Sequence, residues 1–250
     1  LAEAGGFFRV RPGQGNDSIT GQEDIFVEVD YSGLGDGPIT ADLAAGTIQD
    51  SFNDTDVIGE ISAIQGTEFD DTLLGSSSGE RFRPGIGADS IAGGDGSDQV
   101  DYRDLGGPVT VDLGTGTSDL DSDNDGTVNY TDTLTSIERV RGTNFADSLV
   151  GSAADGEDFR PRAGEDTIDG GAGDHDRINY FFNDAAVSVD LQENTAQDGR
   201  GDTDTLSGIE DALGSAFDDT LAGNADANVL TGQRGSDTVT GGDGADTIYG

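Results

Sequence analysis

A nine-residue unit repeats along much of this chain, and its spacing restricts the possible folds more than any other feature. The units are clearest near the C-terminal end, where GQRGSDTVT (232–240) is followed by GGDGADTIY (241–249). Position six of a unit is usually aspartate, and position eight is always apolar in the regular copies. Four consecutive units fill 214–249, four more fill 66–101, and less regular copies lie at 142–179. The fold is therefore expected to have the same period.

The composition of each unit predicts a turn followed by a short strand. Glycine and aspartate in the first six positions are typical of turns, and the apolar or β-branched residues that follow favour a strand. Two units then make one coil of 18 residues with a strand on each side. Stacking such coils places successive strands about 4.8 Å apart. Position eight then points into a thin apolar core, and position six lies on the turns.

The same stacking brings aspartates of successive turns together. Asp71 and Asp89 are 18 positions apart, and so are Asp219 and Asp237. Stacked carboxylates repel unless a cation lies between them, and Ca²⁺ accepts about six to eight oxygen ligands from carboxylates and carbonyl groups. Glycine lets the turn adopt positive φ and direct its carbonyl groups at the ion. The predicted turn ligands of several calcium ions are Asp17, Asp71, Asp89, Asp98, Asp147, Asp166, Asp176, Asp219, Asp237 and Asp246.

These units resemble the repeats-in-toxin (RTX) nonapeptides, Gly-Gly-x-Gly-x-Asp-x-apolar-x, a calcium-binding repeat of parallel β structure. GGDGADTIY matches every defined position, whereas Phe69 and Phe217 stand where the family has glycine. The resemblance covers roughly half the chain, at 3–20, 66–101, 142–179 and 214–249. It implies an all-β fold, a right-handed parallel β-roll or β-solenoid built from stacked calcium-binding turns. It also implies type I secretion and folding on calcium outside a bacterial cell.

A second calcium motif lies outside the nonapeptides, in DSDNDGTVNYTD at 121–132. Its polar residues follow the spacing of an EF-hand loop, although the last position is aspartate instead of glutamate and no amphipathic helices flank it. The sequence therefore predicts a single loop on a β scaffold, with an ordinary polar turn as the alternative. Weaker cognates lie at 50–57 and 198–205. The predicted loop ligands are Asp121, Asp123, Asp125, Thr127 through its backbone, Asn129 and Asp132.

Longer repeats contain these units. Similar segments begin at residues 29, 100 and 178, which are 71 and 78 positions apart. We expect one continuous β-solenoid over 1–250, as a segment of a longer polypeptide, and we expect segments such as 102–141 to continue it as less regular strands. The approximate repeat units are 1–65, 66–141, 142–213 and 214–250.

The charge of the chain excludes several classes of partner. It carries 51 acidic and 12 basic residues, a net charge of −39, so nucleic acid and anionic membranes would be repelled. High charge combined with only 32% apolar residues is typical of chains that stay unfolded. Neutralisation by calcium would remove that obstacle. Cysteine is absent, which excludes disulfides and zinc–thiolate sites.

The preferred hypothesis is a secreted, non-enzymatic, structural or adhesive segment of a large extracellular or cell-surface protein. Its expected partners are calcium ions and either copies of itself or components of the cell surface or matrix. The alternative is a calcium-dependent carrier module of a secreted hydrolase or toxin. An enzyme on a parallel β-helix that acts on polysaccharides is less favoured, because the chain has no lysine and one histidine, His175. Its motifs are also repeated, instead of forming one unique cluster.

Arginines occur in pairs on several predicted strands, as in Arg9/Arg11 and Arg81/Arg83. We predict that they pair with carboxylates on the same strand face. A stripe that binds phosphate or carbohydrate is the alternative.

Overall fold

The computed structural model describes residues 6–22, 24–35 and 37–250. This part of the chain contains 27 strands and no helix, so the predicted all-β class is confirmed. Most strands have three residues, the length that remains in a nine-residue unit after a six-residue turn. Within the same residues no helix is long and apolar enough to cross a membrane.

The strands follow one another at short intervals separated by turns. The first fourteen are β1 (Phe7–Val10), β2 (Ser18–Thr20), β3 (Phe26–Asp30), β4 (Thr40–Asp42), β5 (Thr47–Gln49), β6 (Thr55–Gly59), β7 (Ala63–Gln65), β8 (Thr72–Leu74), β9 (Arg81–Arg83), β10 (Ser90–Ala92), β11 (Gln99–Asp101), β12 (Val109–Asp112), β13 (Thr117–Leu120) and β14 (Tyr130–Thr135). The others are β15 (Arg139–Arg141), β16 (Ser148–Val150), β17 (Asp158–Arg160), β18 (Thr167–Asp169), β19 (Arg177–Asn179), β20 (Ser188–Asp190), β21 (Thr195–Gln197), β22 (Thr203–Ser207), β23 (Asp211–Leu213), β24 (Thr220–Ala222), β25 (Val229–Thr231), β26 (Thr238–Thr240) and β27 (Thr247–Tyr249).

The chain divides into two compact units. The first comprises the chain up to Leu105 together with Thr117–Glu138. Its β1, β3, β7, β9 and β11 form one sheet in that order, and all of these neighbours are parallel. Its second sheet has the order β2-β6-β5-β4-β8-β10-β14-β13. Because the chain alternates between the two sheets as it advances, this unit has the arrangement of a β-roll or β-solenoid.

The second unit comprises Gly106–Gly116 and Arg139–Gly250. One of its sheets has the order β15-β17-β19-β23-β25-β27, and the other has the order β12-β16-β18-β22-β21-β20-β24-β26. The chain again alternates between the sheets, so both units are built in the same way.

The register of the parallel strands equals the period of the sequence. Leu73 pairs with Ile91, and Leu221 pairs with Val239, each 18 residues further on. Position eight therefore stacks on position eight, and each fully buried aliphatic or aromatic side chain contributes about 1.5–3 kcal/mol. The predicted inward direction is confirmed where these side chains are at most 1% exposed: Leu73, Phe82, Ile91, Val100, Leu221 and Leu230. Ile248, in the last strand, is instead 50% exposed.

The segments between the nonapeptide blocks contain strands, as expected. Some of these strands are antiparallel to their neighbours, unlike the parallel strands of the nonapeptide coils. β4, β5 and β6 form a three-stranded antiparallel meander within one sheet, with β4 parallel to β8 and β6 parallel to β2. The chain reverses after β4 because the Asp42 carboxylate accepts the Ala45 N–H at 2.7 Å and Gly46 adopts a φ of 72°. β20, β21 and β22 form the same meander in the second unit, and β13 and β14 form an antiparallel pair in the first.

Successive turns approach so closely that some positions accept only glycine. A Cβ atom on Gly75 would lie 1.8 Å from the carbonyl oxygen of Gly93, one coil further on. This contact involves backbone, which cannot move aside as a side chain can. The glycines of the repeat therefore set the spacing between coils as well as the turn conformation.

Arginines on the strands pair with carboxylates of the same face, on their own or a neighbouring strand, as predicted. Arg9 lies 2.7 Å from Glu28, and Arg160 lies 2.9 Å from Asp158, which also pairs with Arg177. Burial alone would raise the pKa of Asp158, but the two guanidinium groups together with a hydrogen bond from Asn179 outweigh burial and hold that pKa below its ordinary value. These arginines neutralise acids on the strands and do not neutralise the carboxylates of the turns.

Candidate metal centres

In the first unit, the predicted position-six aspartates form a column along one edge of the coils. Asp71 accepts the N–H of Thr67, in its own turn, at 2.6 Å. Its own N–H donates to Asp89 Oδ1 at 2.7 Å, and the N–H of Asp89 donates to Asp132 Oδ1 at 3.0 Å. Asp17 and Asp56 are linked in the same way at 2.8 Å. We call such a series of linked carboxylates on successive coils an aspartate column.

The second unit repeats this arrangement. The N–H of Asp147 donates to Asp166 Oδ1 at 2.7 Å, and the N–H of Asp166 donates to Asp204 Oδ1 at 3.0 Å. Asp219 and Asp237 form a further link at 3.0 Å. The 18- or 19-residue spacing in the sequence thus corresponds to direct contact between turns.

The opposite edge carries a second kind of column, in which glutamate and asparagine alternate with aspartate. Asp98 accepts the N–H of Glu80 at 2.7 Å, and Asp176 accepts the N–H of Glu157 at 2.9 Å. Asp246 accepts the N–H of Asn228 at 3.1 Å. The columns continue to Glu138 after Asp98 and to Glu210 after Asp176. None of the glutamates in these columns was among the predicted ligands.

Three buried tyrosines close three of the aspartate columns. Their hydroxyl groups donate to the last carboxylate of these columns: Tyr31 to Asp56 at 2.5 Å, Tyr102 to Asp132 at 2.8 Å, and Tyr180 to Asp204 at 2.5 Å. Burial raises the pKa of all three tyrosines, so their hydroxyl groups keep the proton and act as donors. Asp56 and Asp204 lie in the weaker loop cognates at 50–57 and 198–205, but neither they nor these tyrosines were among the predicted ligands. The shared signal was available, because all three tyrosines follow an apolar residue and Asp or Asn in the similar segments that begin at residues 29, 100 and 178.

Burial makes several of the column carboxylates poor anions in the absence of a cation. It raises the pKa of Asp89 to about 8, with repulsion from Asp132 adding to the effect, and it raises the pKa of Asp166 to about 9. Burial raises the pKa to about 6 at Asp132, Asp147, Asp176 and Asp204. The Oδ2 atoms of Asp89, Asp166 and Asp176 are buried and have no hydrogen-bond partner. The turns therefore offer buried oxygen ligands for a cation.

These pKa values predict an unusual pH dependence in calcium-free buffer. An aspartate with a raised pKa in the folded chain adds stability that is fully present below the ordinary value of 3.8 and is lost as pH rises through about 8 to 9 at Asp89 and Asp166. We expect the calcium-free chain to be more folded at about pH 5 than at about pH 8, as measured by circular dichroism. Saturating calcium should remove this difference because it stabilises the ionised form. A calcium-free chain that is more folded at the higher pH would contradict this assignment.

The loop predicted at 121–132 joins β13 and β14, so it is a loop on a β scaffold without flanking helices. Ligand atoms of Asp121, Asp123 and Asp125 lie within 4.8 Å of one another. Asp121 also accepts the N–H of Gly126 at 2.8 Å, which closes the loop. The structure therefore brings three of the predicted loop ligands together.

The other predicted loop ligands are placed differently. The Oδ1 atom of Asn129 accepts the N–H of Ser122 at 2.7 Å, and the N–H of Thr127 donates to Asp125 at 2.9 Å. Asp132 is not beside the three aspartates. It lies buried on β14, within the aspartate column, where it contacts Tyr102 and Asp89.

Comparison with protein families identifies a calcium-binding repeat in part of the chain. The model of the RTX calcium-binding nonapeptide repeat matches four copies, at residues 85–103, 162–174 and 213–248. These segments are RTX calcium-binding nonapeptide repeats. RTX repeats bind Ca²⁺ at multiple sites, so calcium is the cofactor of this chain. The matched segments include Asp89, Asp98, Asp166, Asp219, Asp237 and Asp246.

RTX repeat domains are structural calcium-binding modules, and the stacked parallel coils described above are the fold for which they are known. No curated protein matches the sequence of the chain.

Proposed function

We propose that this chain is a secreted calcium-binding β-solenoid segment with a structural or adhesive role, which folds on calcium after export from a bacterial cell. The observation that carries the proposal is the set of buried column carboxylates with unpartnered oxygens. At the low calcium concentration of a cytosol, repulsion between these groups opposes folding and leaves the chain exportable. Extracellular calcium modules have dissociation constants of about 10⁻⁴–10⁻³ M, so calcium outside the cell would close the coils.

The proposal assigns the calcium ligands to the turns. Position-six carboxylates on successive coils share an ion, and the carbonyl groups of the glycine turns complete its coordination. Asp89 and Asp166 support this assignment because each gives one oxygen to the neighbouring coil and keeps the other buried without a partner. The loop of Asp121, Asp123 and Asp125 is proposed as a separate, more exposed calcium site.

A structural role suits the way in which the polar groups are used. The buried tyrosine hydroxyls, which could act as general acids or bases, are instead bound to column carboxylates at three equivalent positions. The same polar arrangement recurs with each long repeat, which favours a continuous scaffold over a single catalytic centre. We therefore propose that the chain itself is not catalytic and extends a larger extracellular or cell-surface protein.

The substitution Asp89→Asn tests the ligand assignment. An asparagine oxygen can still accept the Asp71 N–H, so the hydrogen bond is retained while the negative charge is lost. We expect fewer calcium ions bound per chain in isothermal titration calorimetry, and a several-fold higher calcium concentration at the folding midpoint. Asp95→Asn is the matched control, because Asp95 lies in a turn of the same block with its side chain exposed. Equal calcium binding by the two variants would contradict the assignment.

A further inference from the structure

Two hairpins outside the RTX match carry a shared acidic motif. The hairpin between β5 and β6 contains QDSFNDTD (49–56), and the hairpin between β21 and β22 contains QDGRGDTD (197–204). We call the carboxylates of Asp50, Asp54 and Asp56 the first hairpin cluster. The second hairpin cluster comprises Asp198, Asp202 and Asp204.

The leading aspartate of each cluster is buried and only half satisfied. Asp198 is 3% exposed, and its Oδ1 atom accepts the N–H groups of Arg200, Gly201 and Asp202 at 2.8–3.0 Å. Its Oδ2 atom is buried without a hydrogen-bond partner. The arginine of the hairpin does not neutralise it, since Arg200 pairs with Asp184 at 3.6 Å.

Asp50 repeats this geometry in the first hairpin. Its Oδ1 atom accepts the N–H groups of Phe52 and Asp54 at 2.9 and 3.0 Å. Its Oδ2 atom is also buried and unpartnered, and the residue is 6% exposed. The same orphaned oxygen therefore occurs at equivalent positions of two long repeats.

Hydrogen bonds fix each hairpin against a turn of the neighbouring coil. In the second cluster, Asp202 accepts the N–H of Gly164 at 3.2 Å, and Asp204 accepts the N–H of Asp166 at 3.0 Å. In the first cluster, Asp54 accepts the N–H of Gly15 at 2.8 Å. Several acids thus meet where hairpin and coil turn join.

The middle long repeat provides a natural comparison. The strand register places Leu120 and Tyr130 where the other hairpins have Asp50 and Asp54, or Asp198 and Asp202. Asp89 still has a buried, unpartnered Oδ2 in that repeat, so this oxygen belongs to the RTX column itself. Asp50 and Asp198 therefore add oxygens that the nonapeptides do not account for.

We propose that each of the two hairpin clusters binds one further divalent cation, with the Oδ2 atom of Asp50 or Asp198 as its central ligand. The ligands of each cluster are carboxylate oxygens, which favour Ca²⁺ over softer metals. The ion cross-links the hairpin to the coil turn. The middle repeat, with Leu120 and Tyr130 at these positions, lacks this cross-link. The inference deepens the proposed function, because it assumes that the RTX columns also bind calcium.

Counting the ions bound by the full chain tests this inference. We expect Asp50→Asn and Asp198→Asn each to bind one calcium ion fewer than the unmodified chain in isothermal titration calorimetry, and the double variant to bind two fewer. The double substitution D198L/D202Y reproduces the Leu120–Tyr130 pair of the middle repeat and should fold at saturating calcium while lacking one ion. Glu193→Gln is the control, since Glu193 is exposed in the other turn of the same meander.

The outcomes separate the two proposals. If Asp89→Asn loses calcium while the Asp50 and Asp198 variants and D198L/D202Y bind as many ions as the unmodified chain, the hairpin sites are overturned and the proposed function stands. If the unmodified chain binds no calcium, the proposed function fails as well. Loss of one ion from each hairpin variant, with the control unchanged, supports the inference.

Discussion

Removing calcium with a chelator at about pH 8 is expected to unfold most of the chain. Each independent site contributes about 2.7 kcal/mol when free calcium is 100-fold above its dissociation constant. Four such sites would supply about 11 kcal/mol, which is comparable with the whole stability of an ordinary domain, about 5–15 kcal/mol. Without the ions, the buried column carboxylates at Asp89 and Asp166 repel their neighbours. The strand signal in far-ultraviolet circular dichroism should therefore be lost, and it should return when calcium is added.

The midpoint of this transition tests the proposed link to export. We expect folding at about 10⁻⁴–10⁻³ M calcium, and magnesium at the same concentration should be far less effective because it requires a smaller, near-octahedral site. An unchanged strand signal in excess chelator would show that the fold does not depend on calcium. A midpoint at or below cytosolic calcium would contradict folding after export.

Gly75→Ala is expected to destabilise the stacked coils strongly. The added Cβ would lie 1.8 Å from the Gly93 carbonyl oxygen and 2.9 Å from Glu80 Oε2. Relief requires the two coils to separate, and overpacking of this kind costs about 1–3 kcal/mol, or more where backbone must move. It also pulls apart the column that links Glu80 to Asp98. We expect a lower unfolding midpoint in denaturant at saturating calcium, together with weaker calcium binding.

Gly59→Ala is the matched control for this substitution. The nearest atom to an added Cβ at Gly59 is Thr20 Cγ2 at 3.9 Å, an ordinary contact. Alanine in a strand is favoured over glycine by roughly 0.5–1 kcal/mol, so this variant should be as stable as the unmodified chain or slightly more stable. If both variants unfold at the same denaturant concentration, close contact between turns does not set the coil spacing.

The coil, its register and the position-six columns could be predicted because they follow from one short period. An 18-residue repeat leaves a single stacking in which Leu73 lies over Ile91 and Asp71 over Asp89. Local turn chemistry and hydrophobic pattern agree at each unit, so no other arrangement competes. The same nine-residue pattern predicted which side chains point inward and the resemblance to the RTX calcium-binding repeats.

The meanders could not be predicted in the same way. Their strands are typical of β structure, but alternation alone does not say whether the next strand continues the coil or folds back beside it. The choice is made by the turn at Asp42 and Gly46, and by the pairing of β6 with the preceding coil. These are contacts between segments that no local pattern encodes.

Asp132 shows how a local motif can assign a residue to the wrong neighbours. Its spacing fits the twelfth position of an EF-hand loop, yet its place on β14 directs it towards Tyr102 and Asp89. The hairpin register decides this, because it sets Asp132 opposite Ser118. The tyrosines that close the columns escaped prediction for a similar reason, since each contacts a carboxylate at least 24 residues away in sequence.

An anomalous difference map from crystals grown in calcium would test most directly whether metal ions hold the coils together. We predict calcium peaks on the turns, within coordination distance of the Oδ2 atoms of Asp89 and Asp166 and shared with carboxylates of adjacent coils. The same fold with no peak at these atoms, and with water or a proton satisfying the buried oxygens, would contradict the account.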